Sequence, residues 1–265
     1  MRHMKRGLAV VATALAAAAL SAGPAVSVTG GEPDGARHPN VGALIADFPG
    51  SGPAPVCSGT LVSPTVFLTA GHCVASLAGQ GVSRVWVTFD PTLDPAAWTL
   101  LPGAYYLDPA FGHDRGDLHD LAVVVLSSVV AGVQPAALPP AGLLDRLAAS
   151  GELRSAVFVN VGYGFSDRVT GGGKPQLLYD GARRVSTSPF GALTGTWLKL
   201  SSNANATGQG GVCYGDSGGP RFLGGSSTVV AITSGGDAAC AGMSSSYRLD
   251  TPSARAFLSS FVALP

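Results

Sequence analysis

Three short segments of the sequence contain the side chains that nucleophilic catalysis requires. Leu68–Cys73 ends an apolar run with His72, Asp120 precedes a wholly apolar run, and Gly215–Pro220 places Ser217 among glycines. A serine hydroxyl is a weak nucleophile at neutral pH and needs an adjacent base. A histidine can take that proton and return it to a leaving group, while an acid fixes the histidine tautomer. Together the three residue types predict serine-based acyl transfer.

The glycines around Ser217 meet a further requirement of this chemistry. They let backbone N–H groups point at a developing oxyanion, and each such donor is worth about 3 kcal/mol. Gly215–Gly219 also matches the G-x-S-x-G pattern of α/β-hydrolases, in which the catalytic histidine follows the serine. All five histidines precede Ser217, so that alternative fails.

The elements that must position these residues are short predicted strands. Runs rich in Val, Ile, Phe, Trp and Thr are separated by Gly, Pro, Asp and Ser, which favours a mostly antiparallel β-protein. The clearest predicted strands are Val66–Thr69, Arg84–Phe89, Leu121–Leu126, Val157–Val161, Trp197–Leu200 and Thr228–Thr233.

The clearest helical pattern lies at the C-terminus. Asp250 or Thr251 can cap a helix in which Pro252 takes the first position, and the predicted apolar stripe is Ala256, Phe257 and Phe261. We further expect a short helix within 143–153, exposed loops at 171–175 and 201–211, and a junction between two halves at 135–140.

Composition excludes several classes of protein. The 265 residues are 46% hydrophobic, which argues against disorder, and 37 glycines with few Glu and Lys argue against a helical bundle. The 16 basic and 16 acidic residues cancel, so no basic field exists to attract nucleic acid. We therefore expect no nucleic-acid partner.

The N-terminus predicts export. Arg2, Lys5 and Arg6 precede the apolar run Leu8–Leu20, which is shorter than the roughly 20 residues that a membrane-spanning helix needs. This pattern is typical of a secretory signal, which we place at residues 1–27, with cleavage after Ala22, Ala25 or Ser27. An uncleaved anchor is the alternative. Removing 1–27 takes away three basic residues and no acidic one, which leaves a slightly acidic, secreted protein without a membrane segment.

The four cysteines are interpreted in the light of export. Cys57, Cys73, Cys213 and Cys240 are expected to form two disulfides, for which three connectivities are possible. Their spacing lacks the close pairs of a structural zinc site. We expect no metal ion and no cofactor.

With these segments in view, the chain resembles the trypsin/chymotrypsin-like serine proteases, particularly small secreted bacterial members. The specific signatures are TAGHC at Thr69–Cys73 and GDSGGP at Gly215–Pro220. The similarity extends from about Val28 to Phe261, so the predicted protease domain is 28–265. The resemblance implies two packed six-stranded antiparallel β-barrels with the active site in the cleft between them.

The resemblance also implies roles for individual residues. It assigns His72 as general base, Asp120 as the acid that orients it and Ser217 as nucleophile. It places the N–H groups of Gly215 and Ser217 in the oxyanion hole, and it implies the disulfides Cys57–Cys73 and Cys213–Cys240.

The resemblance to these proteases also implies a substrate specificity pocket. Gly211 stands where trypsin-like members carry an acidic residue, so we expect a neutral pocket that disfavours Lys and Arg. The pocket walls are predicted to include Thr233, Ser234 and Gly235, where Ser234 replaces a usual Trp, together with Ser245. Asp237 is expected near the rim.

The start of the mature chain predicts an activation mechanism. Val28-Thr29-Gly30-Gly31 is similar to the new N-terminus of the family, whose α-ammonium pairs with the carboxylate before the serine, here Asp216. Cleavage after Ser27 would expose Val28 directly, so secretion itself would produce the active form. A plain linker between the signal and the domain is the alternative.

The sequence thus predicts a secreted serine endopeptidase that acts through an acyl-enzyme. Its partners are expected to be a polypeptide substrate and a protein inhibitor, and we expect a monomer. A catalytically silent binding or adhesion module and an ester-directed hydrolase are the alternatives. The integrin-type tripeptide Arg115-Gly116-Asp117 is attributed to chance.

Overall fold

The computed structural model describes residues 31–169 and 176–265, which are rich in short strands. In chain order the strands are β1 (Glu32–Pro33), β2 (Val41–Phe48), β3 (Gly52–Ser63), β4 (Val66–Thr69), β5 (Val85–Thr88), β6 (Leu101–Leu107), β7 (Ala122–Leu126), β8 (Val157–Gly162), β9 (Ser166–Val169), β10 (Gln176–Leu178), β11 (Arg184–Leu193), β12 (Trp197–Ser201), β13 (Pro220–Leu223), β14 (Val229–Gly236) and β15 (Met243–Arg248). Each strand predicted from the sequence is present, with its ends shifted by three residues at most.

The first half of the chain closes into a barrel. Its strand order is β2-β3-β4-β7-β6-β5, and β5 pairs back onto β2, so every neighbouring pair is antiparallel. Closure removes the unpaired edges that an open sheet would expose. The barrel is filled from strands such as β4 and β7, where Phe67, Leu68 and Val123 are fully buried.

The second half closes in the same way. Strands β8, β11, β12, β15, β14 and β13 form a ring of six in which β13 returns to β8. The short strand β1 adds to this ring by pairing with β11. The prediction of two six-stranded antiparallel barrels is therefore confirmed.

Segments near both ends of the described part of the chain cross between the halves. Strand β1 precedes the first barrel but pairs with the second, whereas the ring of Phe261 lies 5.3 Å from that of Tyr106 on β6. Residues 135–140, the predicted junction, lie in the connection between β7 and β8. The proposed signal at 1–27 lies outside the described residues.

The helices are few and short. They are α1 (Gly71–Ala75), α2 (Leu143–Ser150), α3 (Ala204–Thr207) and α4 (Pro252–Leu258), with 3-10 turns at Ala78–Gln80 and Glu152–Ser155. Helix α4 confirms the predicted C-terminal helix, and the Thr251 side chain accepts the capping hydrogen bond from Ala254 N–H. The predicted apolar stripe of this helix was wrong in part, because Ala254 and Leu258 are buried while Ala256 is exposed.

One predicted loop is more structured than expected. The segment 201–211 contains α3, and Ser202 and Gly211 within it are buried. The prediction of an exposed loop is right for 204–206 and for Gly208 but was wrong at the end of the segment, because the hydroxyls of Ser186 and Ser188 on β11 bind the carbonyls of Gly211 and Gly210. The other predicted loop, 171–175, lies outside the described residues. None of the described helices has the length and apolarity needed to cross a membrane.

Candidate active site

His72 is placed by the end of a buried strand. Strand β4 runs into α1, and His72 is the second residue of that helix. Gly71 allows the close approach to the neighbouring segment, because a Cβ at this position would lie 3.0 Å from Leu121 N. As a result the backbone N–H of His72 donates to Asp120 Oδ1 over 2.8 Å.

Asp120 is fully buried and bound by His72. The chain turns before it through a left-handed backbone at His119, with φ 52°. Nδ1 of His72 lies 3.0 Å from Asp120 Oδ2 and 3.1 Å from Oδ1. Such a contact fixes the imidazole ring and leaves Nε2 as its free basic nitrogen.

A third residue binds the same carboxylate. The hydroxyl of Ser234, on β14 of the second barrel, donates to Asp120 Oδ2. Burial alone would raise the pKa of Asp120, but hydrogen bonds from His72 and Ser234 and the charge of His72 hold this pKa below its usual value. Asp120 is therefore ionised at neutral pH.

Ser217 lies in a turn that joins the two barrels. Its carbonyl accepts a 2.9 Å bond from Ser58 N–H of the first barrel, and Gly218 N–H donates to Thr233 O of the second. Gly218 has φ +77°, and a Cβ here would lie 2.2 Å from Thr69 Oγ1. Only glycine therefore permits this turn.

The turn also holds the N–H groups expected in an oxyanion hole. Within residues 31–169 and 176–265, the N–H groups of Gly215 and Ser217 donate to no protein acceptor. Gly215 has φ +95°, and a Cβ at this position would lie 2.9 Å from Gly164 Cα. Two unpaired N–H groups beside a serine are suited to binding a negatively charged oxygen.

The structure brings His72 and Asp120 into contact but records no hydrogen bond between Ser217 and His72 in the described parts of the chain. In the observed ring orientation Nε2 of His72 lies 3.8 Å from Cys73 Sγ. Catalytic hydrogen bonds are often long or absent without substrate and tighten when it binds.

Asp216 is buried beside this turn. Its Oδ2 accepts from Cys213 N–H over 2.8 Å and its Oδ1 from Gly164 N–H over 2.9 Å. Burial raises the pKa of Asp216 to about 6, although both N–H groups and the charge of Arg221 oppose the shift. Val28, its predicted partner, lies outside the described residues.

A cavity of about 210 Å³ opens next to Ser217. Its lining residues are Val212, Cys213, Tyr214, Ser217, Thr233, Ser234, Gly235, Gly236, Asp237 and Cys240. A larger cavity of about 440 Å³ lies around Glu32, His38 and Val185 and contains none of the predicted catalytic residues. We take the smaller one as the candidate substrate pocket because it adjoins the nucleophile.

The predicted pocket residues fall into two groups. Thr233, Ser234 and Gly235 line the cavity, whereas Gly211 and Ser245 do not. Gly211 is buried against Ser202, and Ser245 lies opposite Gly235 on the adjacent strand β15. The bond from Ser234 to Asp120 was not predicted from the sequence, where Ser234 was taken only as the replacement of a usual Trp in the pocket wall.

The four cysteines are paired as the resemblance implied. Sγ atoms lie at bonding distance in Cys57–Cys73 and Cys213–Cys240. His72 lies close to the first pair, but its two sulfur atoms are bonded to each other and are not the thiolates that bind metals. This cluster therefore carries no argument for a metal site.

In the integrin-type tripeptide Arg115-Gly116-Asp117, the Asp117 carboxylate is bound by side chains of the protein itself. The carboxylate of Asp117 accepts hydrogen bonds from Tyr247 OH over 2.6 Å and from Ser253 Oγ over 2.5 Å. These two bonds give Asp117 a structural role in joining its segment to the second half of the chain.

Comparison with known proteins agrees with this architecture. A double antiparallel barrel that holds a histidine–aspartate pair near a glycine-flanked serine defines a class of serine hydrolases. The family model for trypsin matches residues 35–256, and the chain belongs to the trypsin family. It is accordingly a serine endopeptidase.

A solved structure supports the fold. The structure titled HL collagenase matches with a TM-score of 0.59 and 16% identity, over 80% of this chain and 89% of that one. No curated protein sequence matches the chain at a significant level.

Proposed function

We propose that the chain is a secreted endopeptidase in which Ser217 is the nucleophile, His72 the general base and Asp120 the acid that orients it. The observation that carries this proposal is the buried carboxylate of Asp120, 3.0 Å from His72 Nδ1. It holds the base on the first barrel beside a serine turn supplied by the second.

In the first half-reaction Ser217 Oγ attacks the carbonyl carbon of the substrate, and its proton passes to His72 Nε2. The oxygen that becomes negative receives hydrogen bonds from the N–H groups of Gly215 and Ser217. The C–N bond then breaks, the electron pair leaves with nitrogen, and His72 returns the proton to the amine. An acyl ester on Ser217 remains.

In the second half-reaction a water molecule attacks the acyl ester. His72 takes one proton from that water, the C–O bond to Ser217 breaks, and the proton returns to Ser217 Oγ. The carboxylic acid leaves and the enzyme is regenerated. Asp120 stays ionised throughout and stabilises the imidazolium in both steps.

The pocket lining supports a neutral pocket floor and a primary specificity other than Lys or Arg. At Gly211 a Cβ would lie 2.2 Å from Ser202 Cβ, so no acidic side chain fits at this position. Asp237 lines the cavity, but its carboxylate is bound by the N–H groups of Ala239, Ala241 and Gly242. The proposal therefore excludes a dominant preference for Lys or Arg.

The compartment and partners belong to the same proposal. The N-terminal signal pattern and two disulfides support secretion, because disulfides persist in oxidising compartments. The substrate is a polypeptide, the enzyme acts as a monomer, and a protein inhibitor occupies the same cleft.

Asp216 supports the proposed activation by Val28. In the described ranges no cationic side-chain nitrogen lies within 4.0 Å of its carboxylate, which is buried and has its pKa raised to about 6. An α-ammonium at this position would remove the cost of burying the charge.

Two chains test the activation step, one starting at Val28 and one extended before it. In the extended chain the pKa of Asp216 rises from 3.8 to about 6 on folding. The contribution of Asp216 to the unfolding free energy should then be fully present below pH 3.8 and fall by about 3 kcal/mol as pH rises through 6. The chain starting at Val28 should show no such fall, and identical pH profiles would contradict the pairing. N-terminal sequencing of secreted protein should find Val28 first.

An active-site label tests the catalytic assignment. An organofluorophosphate should modify Ser217 in the native enzyme and leave the Ser217→Ala variant unmodified. Absence of labelling in a folded enzyme would favour the silent binding module. Labelling with hydrolysis of esters but not peptides would favour the ester-directed alternative.

A further inference from the structure

Arg221 is a charged side chain sealed inside the second barrel. Its exposed fraction is 0%. Its Nε donates to Ser246 Oγ over 2.8 Å, its Nη2 to Ser244 Oγ over 3.0 Å, and its Nη1 to Asn160 Oδ1. All three acceptors are neutral, and within the described residues no carboxylate lies within 4.0 Å of the guanidinium.

A buried cation without a paired anion is unusual, because charged side chains are almost never fully buried unless paired. Burial lowers the pKa of Arg221 to about 10, so the guanidinium stays protonated at neutral pH. Asp216 attracts it, but both oxygens of Asp216 are bound to N–H groups of Cys213 and Gly164. No direct ion pair therefore cancels the charge of Arg221, which also acts on an anion placed in the pocket.

The strand that binds Arg221 lies behind the candidate substrate pocket. Ser244 and Ser246 lie on β15, where they pair with Gly236 and Thr233 of β14, and these two residues line the pocket. Because side chains alternate along a strand, Ser244 and Ser246 lie on one face, and both contact Arg221. One strand thus separates the guanidinium from the pocket wall.

A second connection leads to the segment of Gly211. Asn160 accepts from Arg221 and donates to Ser186 Oγ, which donates in turn to Gly211 O over 3.0 Å. Gly211 directly precedes Val212, the first residue that lines the pocket. The buried network therefore connects the positive charge of Arg221 to two sides of the pocket, and on both sides it favours a negatively charged group.

We propose that this pocket selects substrates with a glutamate immediately before the cleaved bond, with Arg221 as the specificity-determining charge. The inference rests on the proposed function, since it assigns the side chain that occupies the pocket beside Ser217. A glutamate is favoured over an aspartate because the charge lies behind the wall, where the longer side chain brings its carboxylate closer.

The expected preference follows from the spacing of strands. Neighbouring strands lie about 5 Å apart, so a pocket carboxylate would lie roughly 8 Å from the guanidinium. At an effective dielectric constant of about 20 this attraction changes an equilibrium constant roughly thirtyfold. Water in the open pocket reduces the effect, and we expect about tenfold.

Asp237 opposes this preference. Its carboxylate lines the pocket and repels an acidic side chain, but it is bound to N–H groups of its own loop and is partly exposed to solvent. Screening by water and salt weakens exposed charges far more than buried ones. The buried charge of Arg221 therefore dominates.

The test compares two fluorogenic peptides that differ only in Glu or Gln before the cleaved bond. For the native enzyme the kcat/KM ratio of Glu to Gln should be about ten. Arg221→Met should lower this ratio to one or below, while Arg221→Lys should keep it above one because the charge remains. Asp237→Asn should raise it. Each ratio is taken within one variant, so partial misfolding cancels.

A native ratio of one or below would overturn the inference, as would a tenfold ratio retained in Arg221→Met. If Arg221→Met does not fold, the native ratio and those of Arg221→Lys and Asp237→Asn still decide the question. Cleavage after Lys in a third matched peptide, faster than after Glu, would show that Asp237 dominates. Failure to label Ser217 would instead remove the proposed function, which separates the two failures.

Discussion

The bond from Ser234 to Asp120 is best tested by the variant Ser234→Ala. This change removes one donor from a fully buried carboxylate and leaves both contacts with His72 in place. It therefore separates the contribution of the second barrel to the charge pair from the contribution of the first.

The magnitude follows from the environment of the carboxylate. A hydrogen bond to a charged group contributes about 1.5–3 kcal/mol, so Ser234→Ala should lower the unfolding free energy by that amount at pH 7. Because the pKa of Asp120 is lowered on folding, its stabilising contribution is present above pH 3.8 and is lost as pH falls further. The difference between native and variant should therefore shrink below pH 3.8.

Activity should fall as well. A less firmly held Asp120 stabilises the imidazolium of His72 less well, and a loss of about 1.4 kcal/mol in the transition state lowers kcat/KM about tenfold. Urea unfolding between pH 3 and 7 and hydrolysis of one peptide provide the two measurements. Ser227→Ala, the same change at an exposed turn, serves as the control.

Refutation would take a definite form. If Ser234→Ala matched the control in unfolding free energy at every pH and in kcat/KM, the hydroxyl would not support Asp120. A loss of activity without the pH-dependent loss of stability would point instead to a change in the pocket, which Ser234 also lines.

Two further predictions concern the serine turn and the pocket loop. Gly218→Ala should lower the unfolding free energy by more than about 1 kcal/mol and abolish activity, since its Cβ would lie 2.2 Å from Thr69 Oγ1 at φ +77°. The control is Gly225→Ala, where a Cβ would meet open space. A Gly218→Ala variant that is active and stable would contradict the argument. Replacing Cys213 and Cys240 together by Ser should cost about 3.5 kcal/mol for a separation of 27 residues, measured by urea unfolding, and an unchanged midpoint would show that the loop needs no bridge.

Local sequence was sufficient for most of the fold. Val66–Thr69 and the run ending at Leu126 are short, apolar and bounded by turn residues, and they form strands at almost the predicted positions. The C-terminal helix was predictable because Thr251 and Pro252 act within one turn. The burial of Gly211 was not, because the hydroxyl that binds its carbonyl comes from Ser186, 25 residues earlier in the chain.

The candidate site divides in the same way. His72, Asp120 and Ser217 could be proposed from their immediate neighbours, because a strand end, an apolar run and a glycine turn each leave a local pattern. Ser234 and Arg221 leave none. The roles of a serine in a strand and an arginine after a proline depend on contacts with residues that are distant in the sequence.

The sequence by itself thus determined which residue types are available for acyl transfer and which short elements hold them, since strand propensity, capping and turn geometry act over a few residues. Only the tertiary structure decided that Ser234 supports Asp120 and that Arg221 lies sealed behind the pocket. Those contacts join residues 23 to 114 positions apart in the chain. Closure of the two barrels selects such pairs, because hydrogen bonds and buried charge depend on distance in space.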